Sequence, residues 1–176
     1  LMKKVIFIFF LIFSLSVSAQ NCFVHQKSSQ NKIEKFHTKL SRYSFYQVKQ
    51  ALQKIEEKEG EIAQIYDVYA LIYWLKNDTS NALKYANLCI SACPDSFAVS
   101  NYVLGIINYK IKDYFSALTY LEKSLKIGLI SKFESKAKSI LEESYVFSNL
   151  LQDTVPYNPV LVKGVSTKDD EYLPLI

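Results

Sequence analysis

Apolar residues recur at helical spacing over most of the chain between residues 31 and 151. The segment 31–59 carries two stripes whose members lie three or four positions apart, as on one face of a helix. These stripes are Ile33, Phe36 and Leu40, and then Val48, Leu52 and Ile55. The segment 132–151 predicts one long amphipathic helix. Because the 176 residues include only 4 Gly and 4 Pro, few helix breakers are available, and we predict an all-α fold of about seven helices.

Two consecutive stretches, 63–96 and 98–131, match each other position by position. Ala70 and Gly105 occupy equivalent positions 35 residues apart, and so do Ala82 and Ala117. In each stretch the second small residue follows the first after 12 positions. We expect small side chains here because two helices of a hairpin must approach each other closely. The pattern therefore predicts two successive helical hairpins.

Local signals mark where the helices of these hairpins begin and end. Asp78 and Asp113 are expected to cap the second helix of each hairpin, because their carboxylates can accept hydrogen bonds from its first N–H groups. Pro94 is expected to end the first unit, since proline cannot continue a helix.

This order of residues resembles the tetratricopeptide repeat, a helix–turn–helix unit of about 34 residues. The positions that carry the resemblance are Tyr66, Ala70, Tyr73, Asp78, Ala82 and Pro94 in the first stretch, and Leu104, Gly105, Asp113, Tyr114, Ala117 and Leu121 in the second. The departures are Thr79, Asn101, Asn108 and Leu129, and Phe36 in the degenerate unit upstream, where a small residue is usual. The resemblance implies stacked hairpins over 31–151, capped by the helix 132–151. An unrelated helical bundle is the structural alternative.

The first 19 residues have the three parts of a secretory signal peptide. Lys3 and Lys4 precede an apolar run over 5–15, and small residues at Val17 and Ala19 suit a cleavage site. We expect removal of 1–19 and export to the periplasm or the outer membrane, with retention as an anchor as the alternative. Residues 20–30 are expected to form a flexible segment.

The three cysteines leave alternatives open. Cys22 is interpreted as an ordinary residue near a flexible N-terminus, and lipid attachment is the alternative. Cys89 and Cys93 lie four positions apart on one helix face, as small core residues or as a local disulfide. His25 and His37 are too far away in sequence to complete a zinc site, so we predict no bound metal.

The tail 152–176 changes character, because two prolines disfavour helix. Its last dozen residues resemble the start of a TolB-like β-propeller. In a family of bacterial envelope proteins, helical repeats precede such a propeller and an OmpA-like peptidoglycan-binding domain. The resemblance implies that the chain is the N-terminal part of a longer protein, with peptidoglycan or outer-membrane association through the missing C-terminal region. A disordered tail is the alternative.

Charge and motifs exclude several function classes. Without Lys3 and Lys4 the chain has 19 basic and 17 acidic residues, which does not favour nucleic-acid binding. The sequence contains no Gly-rich phosphate loop, no His-Glu-x-x-His and no Gly-x-Ser-x-Gly elbow. We therefore predict no enzyme activity, no catalytic residue and no cofactor.

The resemblance implies that the first helix of each hairpin lines an inner groove for a protein partner of the cell envelope. Projected onto this sequence, the groove residues are Asp67, Leu71, Trp74, Leu75, Tyr102, Ile106, Tyr109 and Lys110. Tyr and Trp are common anchors in protein interfaces. The alternatives are that these aromatics pack against the N-terminal segment or a neighbouring repeat, that the groove binds a sugar or a small apolar ligand, or that the chain is a gene remnant without function.

Overall fold

The structure, a computed structural model, describes residues 22–152 of the 176-residue chain. The predicted signal peptide (1–19) and the tail beyond Gln152 lie outside the described residues. Between these limits there are seven α-helices and no strand, so the predicted all-α fold is confirmed. The helices are α1 (Lys27–Lys39), α2 (Phe45–Glu59), α3 (Ala63–Leu75), α4 (Thr79–Ala92), α5 (Ala98–Lys110), α6 (Tyr114–Ile127) and α7 (Ser131–Gln152), and a 3-10 turn (Leu40–Arg42) follows α1.

The predicted hairpins are α3–α4 and α5–α6, and both turn in the same way. Asn77 and Lys112 adopt φ angles of 59° and 66°, the left-handed conformation that reverses the chain within a few residues. The carboxylates of Asp78 and Asp113 each accept a hydrogen bond of 3.1 Å from the backbone N–H three residues ahead. Both predicted N-caps are therefore confirmed, and α4 ends at Ala92, just before Pro94.

The helices form a layered stack in which α3 and α5 lie at the centre. Nine residues of α3 and nine of α5 are buried, against three each in α4 and α6, so the first helix of each hairpin supplies most of the core. Helix α4 packs against α3 and α5, and α7 packs against α6 and α5. The expectation of a long C-terminal cap helix is confirmed.

The N-terminal helices are less regular. Both predicted stripes face the core, since Ile33, Phe36, Val48, Leu52 and Ile55 are buried. Helices α1 and α2 each pack on α3, however, and do not form a tightly packed hairpin with each other. The bulky Phe36 at the position of the usual small residue explains this, because a close crossing of two backbones needs little side-chain volume between them.

The cysteine pairing differs from the expectations. Cys22 forms a disulfide with Cys93, with their Cα atoms 5.9 Å apart, and Cys89 is free and buried. A local bridge between Cys89 and Cys93 is therefore wrong, and so is the interpretation of Cys22 as an ordinary residue at a flexible end. The flexible segment expected over 20–30 is corrected from Cys22 onward, because Val24 is buried and α1 already begins at Lys27.

Candidate functional site

The eight residues of the expected groove fall into two groups. Asp67, Leu71, Tyr102 and Ile106 are buried, so the expectation of an open groove is wrong for these four. Trp74 and Tyr109 are partly exposed, and Leu75 and Lys110 are exposed. What remains accessible is therefore only the part of the inner face near the C-terminal ends of α3 and α5.

A buried hydrogen-bond network fills the region around Asp67. One carboxylate oxygen accepts hydrogen bonds of 2.7 Å from both the backbone N–H and the hydroxyl of Ser100, near the start of α5. The other oxygen lies 3.0 Å from Nε2 of His37 on α1, a contact that becomes an ion pair when the imidazole is protonated. Phe97, at the N-cap position of α5, offers no side-chain cap. Asp67 thus takes over that role from α3 and joins three helices.

This network contains a serine, a histidine and an aspartate but not the geometry of a nucleophilic triad. In a triad the base contacts both the hydroxyl and the carboxylate. Here the Ser100 hydroxyl donates to Asp67, and His37 contacts the opposite oxygen of the same carboxylate. The arrangement therefore joins helices. The Ser100 hydroxyl donates to Asp67 and not to His37, so the histidine is not placed to take its proton.

Aromatic packing covers the second part of the expected groove. The ring of Tyr102 stacks on Phe133 of α7 with centroids 5.2 Å apart. Burial raises the pKa of the Tyr102 hydroxyl. Tyr102 therefore packs against the cap helix α7, and not against the N-terminal segment or a neighbouring repeat as the alternative had it.

The exposed remainder combines rings and charges. The ammonium group of Lys110 lies 4.4 Å from the centroid of the Trp74 ring, within the range of a cation–π contact. The Tyr109 hydroxyl donates to the carboxylate of Glu143 on α7, and this hydrogen bond raises the pKa of Tyr109. Leu75 has no such partner and leaves 46% of its surface exposed.

A cleft of ≈ 360 Å³ opens beside Leu75. Three parts of the chain form its walls, namely the 3-10 turn with the start of α2, the C-terminal end of α3, and the first turn of α7. The lining residues are Leu40, Ser41, Tyr43, Ser44, Phe45, Val48, Ile72, Leu75, Lys76 and Lys132. Sequence reasoning identified only Leu75 as a groove residue, because the walls come from segments separated by up to about 90 positions.

The electrostatic character of the cleft comes from two lysines. The Lys76 ammonium group lies 5.9 Å from the centroid of the Phe45 ring, and that of Lys132 lies 5.6 Å from Phe133. Neither lysine forms an ion pair within the described part of the chain, and no lining residue is acidic. The cleft therefore offers an apolar floor with uncompensated positive charge at its rim.

A tyrosine cluster between α3 and α4 was also missed. Tyr85 stacks on Tyr69 and Tyr73, with ring centroids 4.7 and 5.4 Å apart, and Phe45 meets Tyr73 edge-on at 5.3 Å. Burial raises the pKa of Tyr69 and of Tyr85. We interpret this cluster as core packing that also supports Phe45 at the wall of the cleft.

Candidate metal sites and membrane spans are both absent from the part of the chain that the structure describes. Among residues 22–152, no three His, Cys, Asp or Glu side chains gather in a way that could hold a metal ion. None of the helices in that range is long and apolar enough to span a bilayer. No protein-family model matches the chain, and no curated protein is significantly similar to it.

Proposed function

We propose that this protein is a non-enzymatic interaction module that binds a protein partner through the cleft beside Leu75. The observation that carries the proposal is the exposed apolar surface of Leu75 above a cleft that the stacked helices leave open. Exposed apolar surface in a concave site is typical of binding sites, and burying it on association is favourable by about 25 cal/mol per Å². The partly exposed Trp74 and Tyr109 adjoin this end of the inner face and are suited to an interface rim.

The disulfide supports export. Cys22 and Cys93 are bonded, and disulfides persist mainly in oxidising compartments such as the bacterial periplasm. This agrees with the expectation of a cleaved signal peptide over 1–19. We therefore propose the periplasm or the outer membrane as the location and a cell-envelope protein as the partner.

The family assignment is part of the proposal. The two hairpins share turns, aspartate caps and small residues at equivalent positions, which supports tetratricopeptide-type repeats. A role as part of a peptidoglycan-associated scaffold follows from the resemblance of the tail, and it rests on that resemblance alone.

Site-specific photocrosslinking in living cells tests the function. A benzoyl-phenylalanine residue replaces Leu75 at the cleft or, as a matched control, Leu88 on α4, since these leucines are 46% and 41% exposed. We expect an envelope protein to crosslink at position 75 and not at position 88. Equal products at both positions, or none at position 75 in the native host, contradict the proposal.

A further inference from the structure

We propose that the cleft accepts an apolar side chain that is flanked by acidic residues, presented by an extended segment of the partner protein. This inference rests on the proposed binding function and adds the chemistry of the recognised segment.

The floor of the cleft selects an apolar group. The aliphatic side chains of Val48 and Ile72 line the inner end of the cleft, next to the partly exposed Leu40. Phe45 adds an aromatic wall, held in place by its edge-on contact with Tyr73. A polar group inserted here would lose hydration without gaining hydrogen bonds from these side chains, which is unfavourable.

The rim of the cleft selects negative charge. Lys76, the residue that follows α3, and Lys132 in the first turn of α7 approach it from segments that are distant in sequence. Their ammonium groups lie over aromatic rings, and the lining offers no carboxylate to neutralise them. An incoming carboxylate would therefore add an ion pair without displacing an existing one, whereas a basic segment would be repelled.

The shape favours a segment that continues beyond the cleft over an enclosed small molecule. Small-ligand sites typically bury about 70–90% of the ligand. Here six of the ten lining residues are themselves exposed, including Tyr43 and Leu75, so the walls are low on one side. A peptide can place one side chain in the cleft while its neighbours remain at the charged rim.

Selection from a random dodecapeptide library displayed on phage tests this inference, with the expected mature chain (20–176) in its disulfide-bonded form as bait. We expect the selected peptides to share an apolar residue flanked by Asp or Glu. Selected peptides that are neutral or basic around the apolar residue overturn the inference, and so does a selection that yields no binder.

Binding of a selected peptide to variants locates the site. We expect Lys76→Gln combined with Lys132→Gln to raise the dissociation constant by about 3- to 10-fold, since exposed ion pairs each contribute modestly. Leu75→Asp is expected to raise the dissociation constant by at least about tenfold, because the new carboxylate removes apolar contact and repels the acidic flanks of the peptide. The matched control is Lys58→Gln with Lys84→Gln, which removes the same charge from exposed lysines outside the cleft. An equal loss in this control overturns the assignment of the rim.

Decanoate serves as a small amphipathic anion in competition. Displacement of the peptide by decanoate at concentrations below the peptide's own dissociation constant would replace the peptide segment with a small ligand and overturn the inference. The two levels of the proposal fail separately. If a partner crosslinks at position 75 but the crosslinked segment of that partner is basic, only the inferred acidic character of the segment is contradicted. The lack of any crosslink contradicts the proposed function itself.

Discussion

The two hairpins α3–α4 and α5–α6 share one backbone plan but fill it differently. At the close crossing, Gly105 of α5 faces Leu121 of α6, and a Cβ atom on Gly105 would lie 2.6 Å from the Leu121 Cγ. The equivalent positions of the first hairpin hold Ala70 and Ala86, both fully buried. A glycine and a leucine thus stand where the first hairpin has two alanines, and the missing Cβ at position 105 makes room for the larger side chain on the facing helix.

The same contrast holds for polar side chains. Tyr66 and Tyr73 of the first hairpin each pack against the ring of Tyr85, with centroids 6.0 and 5.4 Å apart, whereas the equivalent residues of the second hairpin are Asn101 and Asn108. Instead, each asparagine side chain donates a hydrogen bond to the carbonyl four residues earlier, at 2.7 and 2.8 Å. These two positions therefore accept an aromatic ring or an amide, and at position 101 the amide is only half satisfied, because Oδ1 of Asn101 is buried without a hydrogen-bond partner in the described part of the chain.

Removing the disulfide is expected to have the largest effect. The bond also distinguishes the two hairpins, since Gly128 stands in the second at the position equivalent to Cys93. The bond closes a separation of 71 residues, and chain entropy predicts a loss of about 4 kcal/mol in the free energy of unfolding for Cys22→Ser with Cys93→Ser. Urea denaturation measures it, and the reduced wild type should match the variant. Cys89→Ala is the control, because it leaves the bond intact. An unchanged stability after reduction contradicts the prediction.

Asp67→Ala is expected to have the next largest effect. The variant leaves the Ser100 N–H and hydroxyl buried without their acceptor, which destabilises by about 3 kcal/mol in urea denaturation. His37→Ala should destabilise less, because Asp67 keeps both hydrogen bonds to Ser100. If His37→Ala proves as damaging as Asp67→Ala, then capping of α5 is not the main role of the carboxylate.

The crossing of the second hairpin can be converted to that of the first. Gly105→Ala alone forces the new methyl group against Leu121 and is expected to destabilise by about 2 kcal/mol. The double variant with Leu121→Ala recreates the alanine pair, so its loss should be smaller than the sum of the two single losses. A double-mutant cycle in urea measures this coupling, and strict additivity would show that the two residues do not share the space.

The aspartate caps should give the smallest effects and the most equal ones. Hydrogen bonds to Asn81 and to Ser116 lower the pKa of Asp78 and of Asp113, respectively. A lowered pKa means that the carboxylate stabilises the fold above its usual pKa of 3.8, and that this contribution is lost as the pH falls through the lowered value.

Thermal melts at neutral and acidic pH test the two caps. At neutral pH, Asp78→Ala and Asp113→Ala should lower the melting temperature by similar amounts, and each by less than Gly105→Ala does. Below pH 3.8 the difference in melting temperature between each variant and the wild type should shrink. Serine at either position is the control, since its hydroxyl caps without titrating. A loss that stays constant across this pH range contradicts the role of the ionised carboxylate.

Sequence reasoning located the helices well and the site poorly. The stripes, the caps and the cap helix follow from residues within about one turn of each other, and all were found. The groove failed at Asp67 and Tyr102 because their partners, His37 and Phe133, lie about 30 positions away in elements whose packing no local pattern reveals. The pairing of Cys22 with Cys93 was missed for the same reason, because the only bridge considered was the local one between Cys89 and Cys93.

By itself, the sequence determined an all-α chain of hairpins with capped turns and a small residue at each crossing. These features can be predicted from the sequence because helical hydrogen bonds join residues only four positions apart, so periodicity and caps depend on residues that are close together in the chain. Tertiary structure alone decided which inner face is covered and where a cleft stays open. Leu71 lies in the buried core, whereas Leu75 is 46% exposed beside the cleft, and this difference depends on packing of α3 against α1, α2, α4 and α5 across much of the chain.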